Sequence, residues 1–180
     1  MKLGLAQLKT GENAFLFSSQ NDPWLRDLEK ALAEQCVKIT SGLNAQVMLT
    51  KLEPDYFLKG ALQFEVKQVC GRCAESFSLP VLHGFELGLA HVQNTARGQL
   101  KDSVSDESEE LDIVYFEGQE VDLSPILEEQ VLLSLPYAPI CRPDCKGICQ
   151  SCGSDLNQGQ CQCKKTNPLN AFAALAQYKC

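Results

Sequence analysis

The feature that most constrains this chain is the run Cys149-Gln150-Ser151-Cys152-Gly153, followed eight residues later by Cys161-Gln162-Cys163. A C-x-x-C turn places two sulfurs on one side of a tight loop, and a glycine directly after it relieves the backbone. Two such turns facing each other supply the four ligands that zinc takes in a tetrahedron. The loop between them holds Asp155, Asn157 and Gly159 and almost nothing apolar, so a metal must do there what a hydrophobic core does elsewhere. Cys149, Cys152, Cys161 and Cys163 are therefore the first candidate metal site.

Ten cysteines occur in the chain, and Cys36 and Cys180 stand apart from the rest. The start of the sequence is interrupted by polar residues too early for a secretory h-region, and no stretch approaches a membrane span. The expected compartment is the reducing cytoplasm, where spaced thiols point to metal and not to a disulfide framework. Cys70, Cys73, Cys141 and Cys145 are the remaining clustered cysteines and form a candidate second site. Spacing alone leaves two other arrangements open. Cys141, Cys145, Cys149 and Cys152 share one metal in the first. In the second, Cys70 and Cys73 act as a redox pair, although such pairs open a helix and the residues after Cys73 read as strand.

The rest of the chain predicts an α+β fold: a mostly antiparallel β-sheet core, two or three helices and a small C-terminal zinc-binding module. Residues 3–17 read as one or two short strands. A helix follows, with Asp22 as N-cap, Pro23 at its first position and Leu25, Leu28 and Leu32 on one face. A strand is expected over 45–52. A longer one follows, with Leu58, Gly60, Leu62, Phe64, Val66 and Cys70 on one face by period two. Phe77, Leu79, Val81, Phe85, Leu87 and Leu89 mark the next strand, which puts Cys70-Gly71-Arg72-Cys73 at a hairpin tip. Residues 94–110 read as a flexible acidic loop and 111–116 as a strand. A second helix is expected with Ser124 as N-cap, Pro125 first, Leu127 and Val131 inward, and Pro136 beyond its end. A last helix would start at Asn167-Pro168. This divides the chain into a β-rich domain over 1–136 and a cysteine-rich module over 137–180.

Charge and motif content narrow the function. The net charge is −7, and between Gly98 and Gln130 eleven acids face a single lysine, Lys101. Arg142, Lys146, Lys164 and Lys165 surround the cysteine-rich segment, but two four-thiolate zinc sites would offset that excess, leaving a weak nucleic-acid footprint. The segment from Asp102 to Glu129 is instead a candidate surface for basic partners. His83 and His91 fall inside the strand pattern and read as packed or edge residues. Glu128 and Glu129 are neighbours on a helix and so do not face each other as a catalytic pair would. No nucleophile elbow, phosphate-binding glycine loop or zinc-protease motif is present, and closed all-thiolate sites are poor activators of water. An enzyme is not expected.

The order of motifs resembles a known family. Cys70-x-Arg72-Cys73 with Phe77 precedes an acidic gap and then Val121-Asp122-Leu123. Glu128-Glu129, Leu132-Leu133-Ser134-Leu135-Pro136, Cys141 to Cys163 and Asn167-Pro168 follow. This succession, over roughly residues 45–178, is similar to the bacterial YceD-like family of large ribosomal RNA accumulation proteins. The resemblance implies a non-enzymatic ribosome-biogenesis factor that supports large-subunit ribosomal RNA. Its partners would be a large-subunit precursor, a ribosomal protein or the RNA itself, with no membrane and no small-molecule substrate. One or two structural zinc ions are implied, and the Cys70, Cys73, Cys141 and Cys145 set as the element common to the family. Two other functions stay in view: a zinc-ribbon RNA binder, and a thiol redox or zinc-responsive switch at Cys70 and Cys73.

Overall fold

A computed structural model describes residues 1–52, 55–92 and 112–163. It is α+β. In chain order the elements are β1 (Lys2–Gly4), β2 (Gly11–Ser18), α1 (Pro23–Glu34), β3 (Lys38–Ile39), β4 (Asn44–Leu52), β5 (Asp55–Val69), β6 (Ser76–His91), β7 (Asp112–Phe116), β8 (Glu120–Asp122) and α2 (Leu123–Leu133). The acidic loop expected over 94–110 and the helix expected from Asn167 lie outside the described residues. No helix among the described residues is long and apolar enough to cross a membrane.

The main sheet runs β2-β4-β5-β6-β7, with β3 beside β5 in line with β4. All its pairings are antiparallel except β6 with β7, which is parallel. β1 and β8 form a separate two-stranded ribbon. Period two on the long strands puts Leu58, Leu62, Phe64 and Val66 of β5 and Val81, Phe85, Leu87 and Leu89 of β6 on one buried face. The apolar stripes of both helices, Leu25, Leu28 and Leu32 on α1 and Leu123, Ile126, Leu127 and Val131 on α2, join the same core. The result is two layers, helices on one side of a sheet.

The helix starts differ from the sequence reading in their chemistry. Pro23 opens α1 as expected, but the Asp22 side chain does not cap it; its Oδ2 accepts from the Ser18 backbone N–H at 2.8 Å. α2 begins two residues earlier than expected. Its N-cap is Asp122, whose Oδ1 accepts from the Ser124 N–H at 3.0 Å, while Ser124 and Pro125 lie inside the first turn. At this position the carboxylate also meets the positive end of the helix dipole.

Burial alone would raise the Asp122 carboxyl, but the Ser124 amide and the Met1 amine outweigh it and hold it below the usual carboxylate range. The cap therefore contributes fully above the unfolded-state carboxyl pKa and is lost as pH falls through the depressed folded value. Asp122→Ala is expected to cost about 1 kcal/mol at neutral pH, and less in acid, by urea denaturation.

Candidate metal centre

Two tight turns present the cysteines. β5 and β6 pair from Tyr56 with Leu89 to Val69 with Ser76, so Cys70-Gly71-Arg72-Cys73 does occupy the tip of a long antiparallel hairpin. The chain closes there by Cys70 N–H to Glu75 O at 2.9 Å and Ala74 N–H to Cys70 O at 2.9 Å. The second turn has the same form. Gly153 N–H bonds Cys149 O at 2.8 Å, and Cys149 N–H bonds Ser154 O at 2.8 Å.

The residue after each C-x-x-C is left-handed, Gly153 at φ 73° and Ala74 at φ 59°. A residue with a Cβ pays about 1–2 kcal/mol in that region, so strain is stored at Ala74 and not at Gly153. Ala74→Gly is expected to raise stability by about 1 kcal/mol in thermal or denaturant melts, or less once glycine's unfolded-state freedom is counted.

The segment after α2 comes back to the hairpin tip. Gly71 N–H donates to Pro139 O at 2.8 Å, Ile148 N–H to Arg72 O at 3.1 Å, and the Arg72 guanidinium to Cys145 O at 3.2 Å. Gly147 permits this approach. It is left-handed at φ 74°, and a Cβ there would stand 3.0 Å from Arg72 O. Cys70, Cys73 and Cys145 are buried together, with Phe77 and Cys141 packed against them.

The four sulfurs of Cys70, Cys73, Cys141 and Cys145 lie within 4.8 Å of one another, and so do those of Cys149, Cys152, Cys161 and Cys163. Cys70 Sγ and Cys145 Sγ are 3.8 Å apart, and Cys73 Sγ and Cys141 Sγ 3.7 Å. Sulfurs bonded to one tetrahedral zinc stand about 3.8 Å apart, since each is about 2.3 Å from the metal, whereas a disulfide would bring two to about 2.05 Å. Every described cysteine is a free thiol. Two clusters able to hold a metal ion are thus present. Cys141 and Cys145 gather with the hairpin tip and not with Cys149 and Cys152, unlike the alternative partition.

The surroundings favour thiolate at the first cluster. The backbone N–H groups of Cys141 and Cys73 pull the Cys70 thiol down to about 6. Cys145 is drawn down against the effect of burial by the Asn157 amide and the Gly147 N–H. Burial, then hydrogen bonds with Cys145, Cys70 and Cys73, pushes Cys141 up to about 12. Four crowded thiols cannot all ionise beside each other without a cation, and a divalent metal is what such a donor set takes. The second cluster lies nearer solvent, with Cys152 exposed and Cys149 and Cys161 half-buried. Cys152 is drawn down to about 6, chiefly by Ser154, whose hydroxyl lies 3.1 Å from its sulfur.

Asn157, from the loop between Cys152 and Cys161, reaches the first cluster, a role the sequence did not disclose. Its Nδ2 donates to Cys145 Sγ at 3.5 Å, and its Oδ1 accepts from Lys146 N–H at 2.8 Å. Asp155 Oδ1 accepts from the Asn157 Nδ2 at 2.7 Å and from its backbone N–H at 2.9 Å. Such partners orient a ligand and tune its basicity. The signal available beforehand was only that Asp155 and Asn157 are turn formers.

The other residues singled out from sequence sit away from both clusters. His83 Nε2 is 3.2 Å from Oε1 of the buried Gln130, and His91 Nε2 is 3.1 Å from Gly118 O. Glu128 accepts from Gln35 Nε2 at 2.6 Å, while Glu129 faces solvent. Arg142 reaches Asp144 at 3.6 Å on the surface.

Comparison with known proteins gives a concordant set of matches. A family model described as large ribosomal RNA subunit accumulation protein YceD matches residues 58–179. An uncharacterised protein of Mycobacterium tuberculosis is 39% identical over 90 residues, covering 48% of this chain and 39% of the relative. A chloroplastic YCED homologue 1 of Arabidopsis thaliana, named as a large ribosomal RNA subunit accumulation protein, is 25% identical over 140 residues. That match covers 68% of this chain and 44% of the relative. The maize protein of the same name is 36% identical over 50 residues, or 27% of this chain and 17% of its own. The chain spans less than half the length of these curated relatives. No solved structure matches.

Proposed function

The chain belongs to the YceD family of large ribosomal RNA subunit accumulation proteins, and from that premise we propose that it is a non-enzymatic factor supporting large-subunit ribosomal RNA, with two structural zinc ions. One observation carries the zinc half of the reading. Sulfurs that start on a hairpin tip and on a segment roughly seventy residues later stand at tetrahedral zinc spacing. Cys70, Cys73, Cys141 and Cys145 would hold one ion, fixing the C-terminal segment to the sheet. Cys149, Cys152, Cys161 and Cys163 would hold the other. Zinc in such closed all-sulfur sites supplies folding energy and leaves no open position for water. A cytoplasmic setting, where thiols stay reduced, fits this use of cysteine.

Depletion of the protein is expected to lower large-subunit ribosomal RNA relative to small-subunit RNA, and an unchanged ratio would overturn the reading. Metal analysis of protein purified without chelators is expected to give two zinc ions per chain; none at all would remove the metal half. The redox reading has less behind it. Ser76 onward continues as strand β6 and opens no helix, and Cys70 and Cys73 each have a further thiol beside them, Cys145 at 3.8 Å and Cys141 at 3.7 Å.

A further inference from the structure

Only Lys146, Gly147 and Ile148 separate Cys145, in the first cluster, from Cys149, in the second. The loop between Cys152 and Cys161 folds back along this link. Cys149 N–H donates to Ser154 O at 2.8 Å, Leu156 N–H donates to Gly147 O at 2.9 Å, and Ile148 pairs antiparallel with Asp155. So placed, the loop brings the Asn157 carboxamide to Cys145. Its Nδ2 donates to Cys145 Sγ at 3.5 Å and to Asp155 Oδ1 at 2.7 Å, while its Oδ1 accepts from Lys146 N–H at 2.8 Å. Those partners call for two donors and an acceptor on one planar group, which is what an amide offers; an aspartate could not donate to the sulfur.

The loop that carries Asn157 has little of its own to hold it. Leu156 is its one large apolar residue, and every residue from Gly153 to Gln160 is half-buried or exposed. Its two ends, Cys152 and Cys161, both belong to the second cluster. An ion shared by those sulfurs closes the loop, and closure lowers the entropy lost in setting Asn157 against Cys145. A hydrogen bond from outside the coordination sphere orients a metal ligand and tunes its basicity. Resting on the zinc reading above, we propose that Asn157 is a positioning residue of the first site and that it couples the two sites. An ion in the second cluster, by closing the loop, raises the affinity of Cys70, Cys73, Cys141 and Cys145 for an ion of their own. Such coupling is reciprocal, so an ion in the first cluster raises the affinity of the second by the same factor.

The test loads the full chain with zinc and challenges it with a graded chelator. Alkylation of Cys70 and Cys73, read by peptide mass spectrometry, reports loss of the first ion. Asn157→Ala is expected to lower the first site's affinity about tenfold or more, since losing an outer partner of a ligand commonly costs about 10–100-fold. Cys152→Ser, which opens the loop, is expected to lower it by a similar factor, although the site still fills when no chelator competes. The two changes together should cost no more than Cys152→Ser alone, because an open loop no longer delivers the amide. Cobalt(II) in place of zinc gives a second readout. Asn157→Ala is expected to move the thiolate-to-cobalt absorption to longer wavelength, because a hydrogen bond draws electron density from sulfur; a residue that only braced the loop would leave the band in place. An unshifted band, a first site indifferent to Cys152→Ser, or separate costs that multiply in the double variant would overturn the proposal. Two zinc ions that bind and leave independently would remove the coupling and keep the metal reading. No zinc in either cluster would sink both.

Discussion

Changing Cys73 to serine is expected to release one of two zinc ions and to free residues 137–163 from the hairpin tip. The tip and the returning segment share almost no aliphatic core; what is buried between them is Cys70, Cys73 and Cys145, with Phe77 and Cys141 alongside. The backbone bonds Gly71 to Pro139 and Ile148 to Arg72 are each worth only about 0.5–1.5 kcal/mol net. A structural zinc in zinc-finger peptides is worth about 10–16 kcal/mol at neutral pH, so the ion and not the hydrogen bonds would hold the contact. Serine oxygen is a poor ligand beside three thiolates, and the site would lose affinity by orders of magnitude. Trypsin cleavage after Lys146, which is exposed, should then become fast while the far-ultraviolet spectrum of the sheet and helices is kept. Cys152→Ser is the contrasting case. It should release the other ion and leave Lys146 protected, because the site at the hairpin tip still has all four of its sulfurs. Acid should mimic both variants, since protons compete with zinc for thiolate, and metal release should rise steadily as pH falls. Two zinc ions retained by Cys73→Ser, or equal trypsin sensitivity in the two variants, would refute this account.

What the sequence made legible follows from how many residues carry each signal. β5 and β6 were readable because fifteen and sixteen residues repeat one alternation, and the alternation is clean because only one sheet face is covered. The same one-sidedness leaves Leu16 and Leu82 exposed on the opposite face. β3 and β8, of two and three residues, carry no periodicity and were not foreseen. The strand expected near residues 111–116 was located, but that it runs parallel to β6 depends on the path between them, which local pattern does not encode. Asp122 and Ser124 are both good caps two residues apart. Only the backbone at Asp122, extended at φ −88° and ψ 116°, decides between them.

The cysteine clusters divide in the same way. Cys149, Cys152, Cys161 and Cys163 lie within fifteen residues, so spacing alone announced their grouping. Cys70 with Cys145, and Cys73 with Cys141, are joined across separations of 75 and 68 residues. That pairing depends on the β5–β6 hairpin being long enough to carry its tip to the end of α2. Ala74 hid its left-handed turn because it is not glycine, while Gly153 declared the equivalent one. The contacts of Arg72 and Asn157 could not be read from sequence, since each acts through a backbone oxygen or a sulfur that only the fold brings near.

Gly60→Val should be among the most damaging single changes, because it sets two core requirements against each other. Gly60 faces Phe85 directly across β5 and β6, and it lies on the covered side of the sheet. The Phe85 ring fills the space where a Gly60 side chain would be, and a Cβ would collide with its Cζ, Cε1 and Cε2 atoms. An aromatic ring over a cross-strand glycine is a recognised way of restoring the packing that glycine forfeits. Valine would have to displace the ring, which is buried beside His83 in the close-packed shared core. Overpacking alone costs about 1–3 kcal/mol, and exposing a phenylalanine side chain forfeits a further ~1.5–3 kcal/mol. Together these approach a large share of a typical domain's stability of about 5–15 kcal/mol. The double variant Gly60→Val, Phe85→Ala isolates the cause. Removing the ring should recover part of the loss, so that the two changes together cost less than their separate costs added. Strict additivity would mean that the ring and the glycine do not compete for one space, and the account of this hairpin's core would have to be redrawn.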